Sequence, residues 1–387
     1  MNDQNILLPG LSMGQEAGIS AYLHRKSAAA GIPLSGTFEL TRRCNFNCRM
    51  CYIHSAQADN HDAELTSERW IDIASQARDA GMLFLLLTGG EPLLRADFEE
   101  IYGALCKMGF FISVNTNGSL LKGRIAALFE KNPPNRINMS LYGASGETYR
   151  SLCGTDRFDA VKESIEQMTA AGIDVRLNVS VTPENVHELD AVFAFASERN
   201  LPIKATPYMF PPVRGAGVYG KNEMRLSAEE AGKCRAAIET KQLSGKELQN
   251  RLSLLEQGER PTPDGMNGSP SPLGSVSRCR AGRAGFWVDW NGGVRMCGMT
   301  PVCADLSRVS FREAWEAVRA ATCAIRLPAE CTACPLRQVC PVCAAVCCTE
   351  TGEYGKKPTY LCEMTKAYAE ELLRMKDKNS LIKSIFT

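Results

Sequence analysis

From residue 36 to about 208 the chain alternates short runs rich in β-branched and aromatic residues with longer amphipathic stretches. The short runs are GTFELT (36–41), LFLLLT (83–88), FISVNT (111–116), RINMSL (136–141), DVRLNVSV (174–181) and PIKATPY (202–208). Between them, segments such as 66–80, 96–108, 157–172 and 185–199 place apolar residues at helical intervals and are long enough to be crossover helices. Six β/α units in series predict an α/β fold with a parallel sheet, open or curled into a partial (β/α)6 barrel over 36–210. Beyond 208 the pattern breaks. Residues 211–220 read as loop, 227–257 as one or two helices and the Pro/Gly/Ser-rich 261–274 as a linker, so 211–274 is expected to be a bridge. A hairpin turning at Asn291-Gly292 follows within 285–297, then a cysteine-dense tail and a helix over about 363–376. Residues 1–35 form a short N-terminal extension, and 275–387 a small second domain.

With 387 residues, two or three domains are expected. Forty-four basic residues stand against 43 acidic ones, so no overall field favours nucleic acid or an anionic membrane. The longest apolar runs, such as GMLFLLL (81–87), fall far short of a membrane span. The first residues lack the basic start and apolar core of a signal peptide, which points to the cytoplasm. The 17 cysteines change the picture. In a long chain without an export signal they indicate reduced thiols kept for metal binding rather than disulfides. Three lie at Cys44, Cys48 and Cys51, eleven crowd into 279–362, and only Cys106, Cys153 and Cys234 lie between, so the cysteines mark two sites.

Chemistry in parallel α/β folds collects where strands end. The three-cysteine loop CNFNCRMC (44–51) follows the first strand, GGEP (89–92) the second and NTNG (115–118) the third, while Ser140 and Tyr142 close the fourth. No GxGxxG or GxxxxGK stands at these turns, which counts against the usual nucleotide-binding sheets. Three thiolates suit a [4Fe–4S] cluster, whose fourth iron is left for a small molecule. The alternative is a zinc knuckle completed by His54 or His61, which leaves GGEP unexplained.

The CxxxCxxC loop after the first strand, with GGEP closing the second strand of a six-unit β/α series, resembles the radical S-adenosylmethionine superfamily. The resemblance implies that Cys44, Cys48 and Cys51 hold a [4Fe–4S] cluster whose open iron chelates S-adenosylmethionine. One-electron cleavage then gives a 5′-deoxyadenosyl radical that takes a hydrogen atom from substrate. It also implies that Gly89, Gly90, Glu91 and Pro92 receive the methionyl ammonium, and that Asn117, Ser140 and Asn178 contact its ribose or carboxylate. The residue before the third cysteine, often aromatic in this family, is Met50; Tyr52 supplies a ring nearby.

CTACPLRQVCPVCAAVC (331–347), preceded by Cys279 and Cys297 and followed by Cys362, is similar to the SPASM extension of radical enzymes, which holds two auxiliary [4Fe–4S] clusters. By that pattern Cys331, Cys334, Cys340 and Cys362 hold one, and Cys279, Cys297 and one or two of Cys343 and Cys347 the other. The chain departs from the pattern after Cys340, with Cys343 and Cys347 where one differently spaced cysteine is usual, so the first auxiliary cluster's fourth ligand stays open. Cys303, Cys323 and Cys348 are surplus and read as buried thiols. The alternative for the tail is a pair of zinc sites.

Together these resemblances imply an enzyme that matures a ribosomally made peptide by installing a thioether or carbon–carbon crosslink or an oxidation. Its partners would be the peptide and an electron donor of flavodoxin or ferredoxin type; since 35 residues are too few for a leader-binding domain, any leader recognition would need a separate leader-binding protein or another surface. Rival readings are a haem- or quinone-cofactor enzyme, a sulfatase-maturing enzyme and, in another class, a non-catalytic iron–sulfur or zinc scaffold. A carboxylate base for the sulfatase-type reaction is not evident; Asp156 and Glu147 are within reach but read as solvated loop charges.

Overall fold

The computed structural model describes residues 13–53, 64–215, 217–257, 279–331 and 333–385. His54, His61 and the linker at 261–274 lie outside them. After α1 (Met13–Ala30), six units run in order: β1 (Ser35–Glu39), α2 (Ser67–Asp79), β2 (Phe84–Thr88), α3 (Phe98–Lys107), β3 (Phe111–Thr116), α4 (Arg124–Lys131), β4 (Arg136–Ser140), α5 (Gly146–Cys153), α6 (Phe158–Ala170), β5 (Val175–Ser180), α7 (Leu189–Glu198) and β6 (Ile203–Thr206). All six strands pair in parallel with their sequence neighbours. The expected α/β architecture is therefore present, as an unclosed barrel.

The sheet continues past β1. β7 (Gly285–Val288) pairs with β1 in parallel, Thr37 opposite Trp287, and β8 (Gly293–Arg295) and β9 (Ala304–Asp305) follow antiparallel. The order is β6-β5-β4-β3-β2-β1-β7-β8-β9, so the predicted hairpin, with its turn at 289–292, is built onto the barrel sheet and not beside it.

Apart from β2, whose FLLLT is apolar almost throughout, the strands alternate and are not the continuous apolar runs of a sheet buried on both faces. Phe38, Leu85, Leu87, Ile112, Val114, Met139 and Leu177 are buried under the helices, with Trp70 of α2 5.0 Å from Phe38 between ring centres. Their neighbours Thr37, Glu39, Ser113, Asn115, Asn138, Ser140, Arg176, Asn178 and Lys204 line the concave face. Register keeps them in rows, Asn115 opposite Asn138 and Ser140 opposite Asn178. α1 covers the strand starts: His24 Nε2 lies 2.7 Å from Ser35 Oγ, and its ring stacks 5.4 Å from that of Phe84.

The segment at 227–257 forms two helices, α8 (Ala228–Gln242) and α9 (Gly245–Gln257), the first opened by a Ser227–Glu230 capping box. The tail adds α10 (Phe311–Ala324), α11 (Ala344–Thr351) and α12 (Thr359–Ile385), which begins earlier and runs longer than predicted. α12 packs on α8 through Tyr368, which donates to Glu239 at 2.6 Å and lies under the Arg235 guanidinium. Among the described residues no helix is long and apolar enough to cross a membrane.

Candidate active site

The loop leaving β1 is fixed at both ends. At its entry, Arg43 donates to both oxygens of Glu64 at 3.2 and 3.0 Å, and the Thr41 hydroxyl also donates to Glu64. Buried Arg95 donates to the carbonyls of Leu40 at 2.8 Å and Leu65 at 3.0 Å. At its exit, the N–H groups of Asn47 and Arg49 donate to the carbonyls of Cys153 and Leu152, both at 3.0 Å, strapping the loop to the last turn of α5.

Cys44, Cys48 and Cys51 are partly buried between these anchors. Burial, then the charges of Glu91, Cys48 and Cys51, push the Cys44 thiol up to about 12, so the three thiols share one electrostatic neighbourhood. Neutral donors oppose that shift: the Phe46 N–H lies 3.4 Å and the Asn117 side-chain amide 3.8 Å from Cys44 Sγ. A hydrogen bond to the thiol of Cys153, and then burial, push the Cys48 thiol up. Among the described residues no three His, Cys, Asp or Glu side chains form a group that could hold a single metal ion. An iron–sulfur cluster is a larger body, and thiols on one loop, with N–H donors aimed at sulfur, suit it.

GGEP closes the mouth beside this loop. The N–H groups of Gly90 and Glu91 donate to the carbonyls of Thr41 and Arg43, both at 2.8 Å. Glycine is required for that approach: a Cβ on Gly89 would stand 2.5 Å from the Thr41 carbonyl oxygen, and one on Gly90 2.3 Å from that of Arg43. Pro92 opens a single 3-10 turn, Pro92–Leu94. The Glu91 side chain points inward and is 0% exposed. One oxygen accepts from Leu93 N–H at 3.1 Å and the Thr116 hydroxyl at 2.8 Å, the other from Asn117 N–H at 2.8 Å. The carboxylate predicted for an ammonium is thus already the tie between the ends of β2 and β3.

Asn117 is likewise committed. Its side chain donates to Asn45 Oδ1 at 2.9 Å and accepts from Ser119 N–H and Oγ at 3.0 and 2.7 Å, joining β3 to the cysteine loop. Ser140 and Asn178 are register partners on the concave face at the ends of β4 and β5, partly exposed to the lumen. Glu147 and Asp156 are exposed, the latter paired with Arg150 at 3.1 Å.

Sequence reasoning missed a buried charge network on the β1/β7 side. Arg214, in the segment read as loop, lies in a 3-10 turn, Val213–Gly215, and is 7% exposed. It meets Glu39 at 3.0 Å, Asp289 at 3.1 Å and the Gly298 carbonyl at 3.1 Å. Arg295 holds the other Asp289 oxygen at 2.6 Å. Tyr52 turns its ring toward Arg214, 5.8 Å from the guanidinium, and burial pushes its phenol up, with Glu39, Cys51 and Cys297 among the neighbouring charges. Tyr52 therefore has both the loop thiol Cys51 and the tail thiol Cys297 as neighbours. The charged residues at 39, 214, 289 and 295 carry no shared spacing that a sequence pattern could reveal.

In the tail, Cys331, Cys334, Cys340 and Cys362 line one pocket of about 70 Å³ together with Arg337, Lys357 and Lys366. Four thiols edged by three cations suit a cluster whose thiolates carry negative charge. Cys297 is pushed up to about 11 by burial, with Cys279 and Cys343 the neighbouring thiols. Cys347 is 0% exposed and feels Cys331 first, then Cys343, Cys340 and Cys362, which places it between the two sets. Of the surplus thiols expected to be buried, Cys348 is buried and Cys303 half-buried, but Cys323 is exposed, because it lies on the solvent side of α10.

Residues 38–196 match the model of the Radical SAM superfamily. A probable GTP 3′,8-cyclase of Saccharolobus islandicus is 38% identical over 152 residues, 39% of this chain and 48% of that protein. This chain thus spans about half the length of the curated relatives it matches first. The PqqA peptide cyclase of Streptomyces rochei is 26% identical over 267 residues, 66% of this chain and 71% of that protein. Two solved structures share the fold: Streptococcus suis SuiB bound to its precursor peptide SuiA (TM-score 0.66, 16% identity, covering 91% of this chain and 82% of SuiB) and anSMEcpe with bound AdoMet (TM-score 0.65, 17% identity, covering 89% and 100%).

Proposed function

We propose that this chain, which belongs to the radical SAM superfamily through residues 38–196, is an enzyme that modifies a peptide after hydrogen-atom abstraction. The observation that carries the reading is the thiol loop Cys44, Cys48 and Cys51, anchored at the mouth of the barrel against the glycines of GGEP. A [4Fe–4S] cluster with S-adenosylmethionine supplies, when bound there, a carbon radical able to take a hydrogen atom. The chain's own residues hold and orient. Asn117 and the Phe46 N–H stabilise Cys44 as a thiolate. Glu91 fixes β2 to β3, so that an ammonium at GGEP meets backbone carbonyls within the field of a buried carboxylate. Ser140 and Asn178 offer polar contacts on the far wall.

A peptide substrate is supported by the shared fold with SuiB, solved with a precursor peptide, and with anSMEcpe, solved with the Kp18Cys peptide, and by the sequence likeness to a peptide cyclase. The bond made is a crosslink, thioether or carbon–carbon, or an oxidation. Cys331, Cys334, Cys340 and Cys362 hold one auxiliary cluster, and Cys279, Cys297 and Cys343, with Cys347 as the adjacent thiol, the other, in a SPASM-type domain. A flavodoxin or ferredoxin supplies electrons, and a separate protein presents the leader.

The test is an anaerobic iron and sulfide count on reconstituted protein beside the Cys44/Cys48/Cys51 triple alanine variant. About twelve irons falling to about eight is expected. Zinc in place of iron, or an unchanged count, overturns the assignment. Cys48→Ala alone should abolish 5′-deoxyadenosine formation from S-adenosylmethionine.

A further inference from the structure

Glu39 is the last residue of β1, and its side chain is 0% exposed. It lies on the concave face, since Phe38 before it packs outward on Trp70. One carboxylate oxygen is doubly held: it accepts from Trp287 Nε1 at 2.7 Å and pairs with Arg214 at 3.0 Å. The other oxygen, Oε1, is buried and has no hydrogen-bond partner. Rotation does not relieve it. The Arg214 guanidinium is also engaged by Asp289 and the Gly298 carbonyl, and Trp287 Nε1 has a single proton, already given to Oε2. A buried acceptor in this state calls for a partner that the fold itself does not supply.

Position and charge identify it. The residues proposed for S-adenosylmethionine occupy the ends of β2 to β5, whereas Glu39 closes β1 on the concave face, on the side where β7 pairs, and is among the charges felt by the Tyr52 phenol. Glu39 and Asp289 are balanced by Arg214 and Arg295, so a further cation would be a buried charge without a counterpart. A neutral N–H or O–H donor completes the oxygen and leaves the balance intact.

We propose that Glu39 is a substrate-contact residue, whose free oxygen accepts a hydrogen bond from a neutral amide or hydroxyl group of the peptide substrate, with Trp287 and Arg214 as the positioning residues that aim it. This rests on the peptide reading above.

Glu39→Gln tests it sharply. The amide oxygen of glutamine satisfies Trp287 and Arg214, and its NH2 then occupies the place of Oε1, turning an acceptor into a donor. Short fluorescein-labelled Gly/Ala peptides with a central Ser, Asn or Leu are titrated anaerobically into the cluster- and S-adenosylmethionine-loaded full chain, with fluorescence anisotropy as the readout. In wild type the Ser and Asn peptides should bind more tightly than the Leu peptide, and Glu39→Gln should weaken them roughly tenfold while leaving the Leu peptide unchanged. Equal effects on all three, or none, overturn the contact and leave the peptide reading standing. Failure of every peptide to bind wild type overturns the peptide reading and this contact with it. If Glu39→Gln loses iron or unfolds, Trp287→Phe, which removes one of the two groups aiming the carboxylate, is read in the same assay, with selective weakening of the Ser and Asn peptides expected and uniform behaviour as the refutation.

Discussion

Replacing Glu91 with glutamine isolates the physics of the GGEP turn. The carboxyl is 0% exposed, and burial pushes it from its ordinary 4.5 up to about 7, although three donors from Leu93, Thr116 and Asn117 pull the other way. The folded state therefore holds this proton more tightly than the unfolded chain. Its contribution to stability is complete below about pH 4.5 and is lost as pH rises through about 7. A difference of about 2.5 units corresponds to about 3 kcal/mol. Glutamine does not titrate, but it turns an NH2 toward the Asn117 N–H, at a cost of about 1–3 kcal/mol that is independent of pH. Urea unfolding of the cluster-free protein, followed by tryptophan fluorescence at about pH 5 and about pH 8, separates the two effects. Wild type should be the more stable protein at the acid end, and its advantage over Glu91→Gln should shrink by about 3 kcal/mol at the alkaline end. An advantage of equal size at both pH values would refute the claim that this carboxyl is buried at the cost of its charge.

Two further predictions follow from geometry. Gly90→Ala places a Cβ 2.3 Å from the Arg43 carbonyl oxygen and 2.7 Å from that of Arg42, so the loop backbone must move; a loss of about 2 kcal/mol, read by thermal unfolding, and a lower iron content after reconstitution are expected. Cys334→Ala removes one of four thiols from the tail pocket and leaves the β1 loop untouched, so 5′-deoxyadenosine formation should persist while about four irons, counted chemically, and peptide modification are lost.

Most of the barrel was legible because its signals are local. The six strand runs and the long amphipathic segments each fall on an observed element, with ends displaced by a few residues. The shorter α4 and α5 carry too few turns for a clear period, although Ser145, whose side chain accepts from Thr148 N–H, is a recognisable helix start. α10 carries the same kind of signal in the Ser310–Glu313 capping box. The pairing of β7 with β1 was not legible, since neither strand's composition states which sheet edge it joins.

The candidate site divides along the same line. Cysteine spacing is written in consecutive residues, so the loop thiols could be grouped from sequence, whereas the set Cys331, Cys334, Cys340 and Cys362 came from the resemblance to a known extension; these four line one pocket. The Glu39–Arg214–Asp289–Arg295 network has no such spacing, because its members meet across separations of 75 residues or more from Arg214. Buried charges are costly unless paired, and here Glu39, Arg214 and Asp289 are buried together beside the partly buried Arg295, with one carboxylate oxygen unspent. Charges at Glu39 and Asp289 could have been replaced by apolar side chains if the β1/β7 junction needed only to be stable, since β7 already packs Phe286 against Phe311 and Trp315 on the opposite face. Their placement at the C-terminal end of β1 and β7, with Glu39 near the Tyr52 phenol, is what the proposed substrate contact at Glu39 would use.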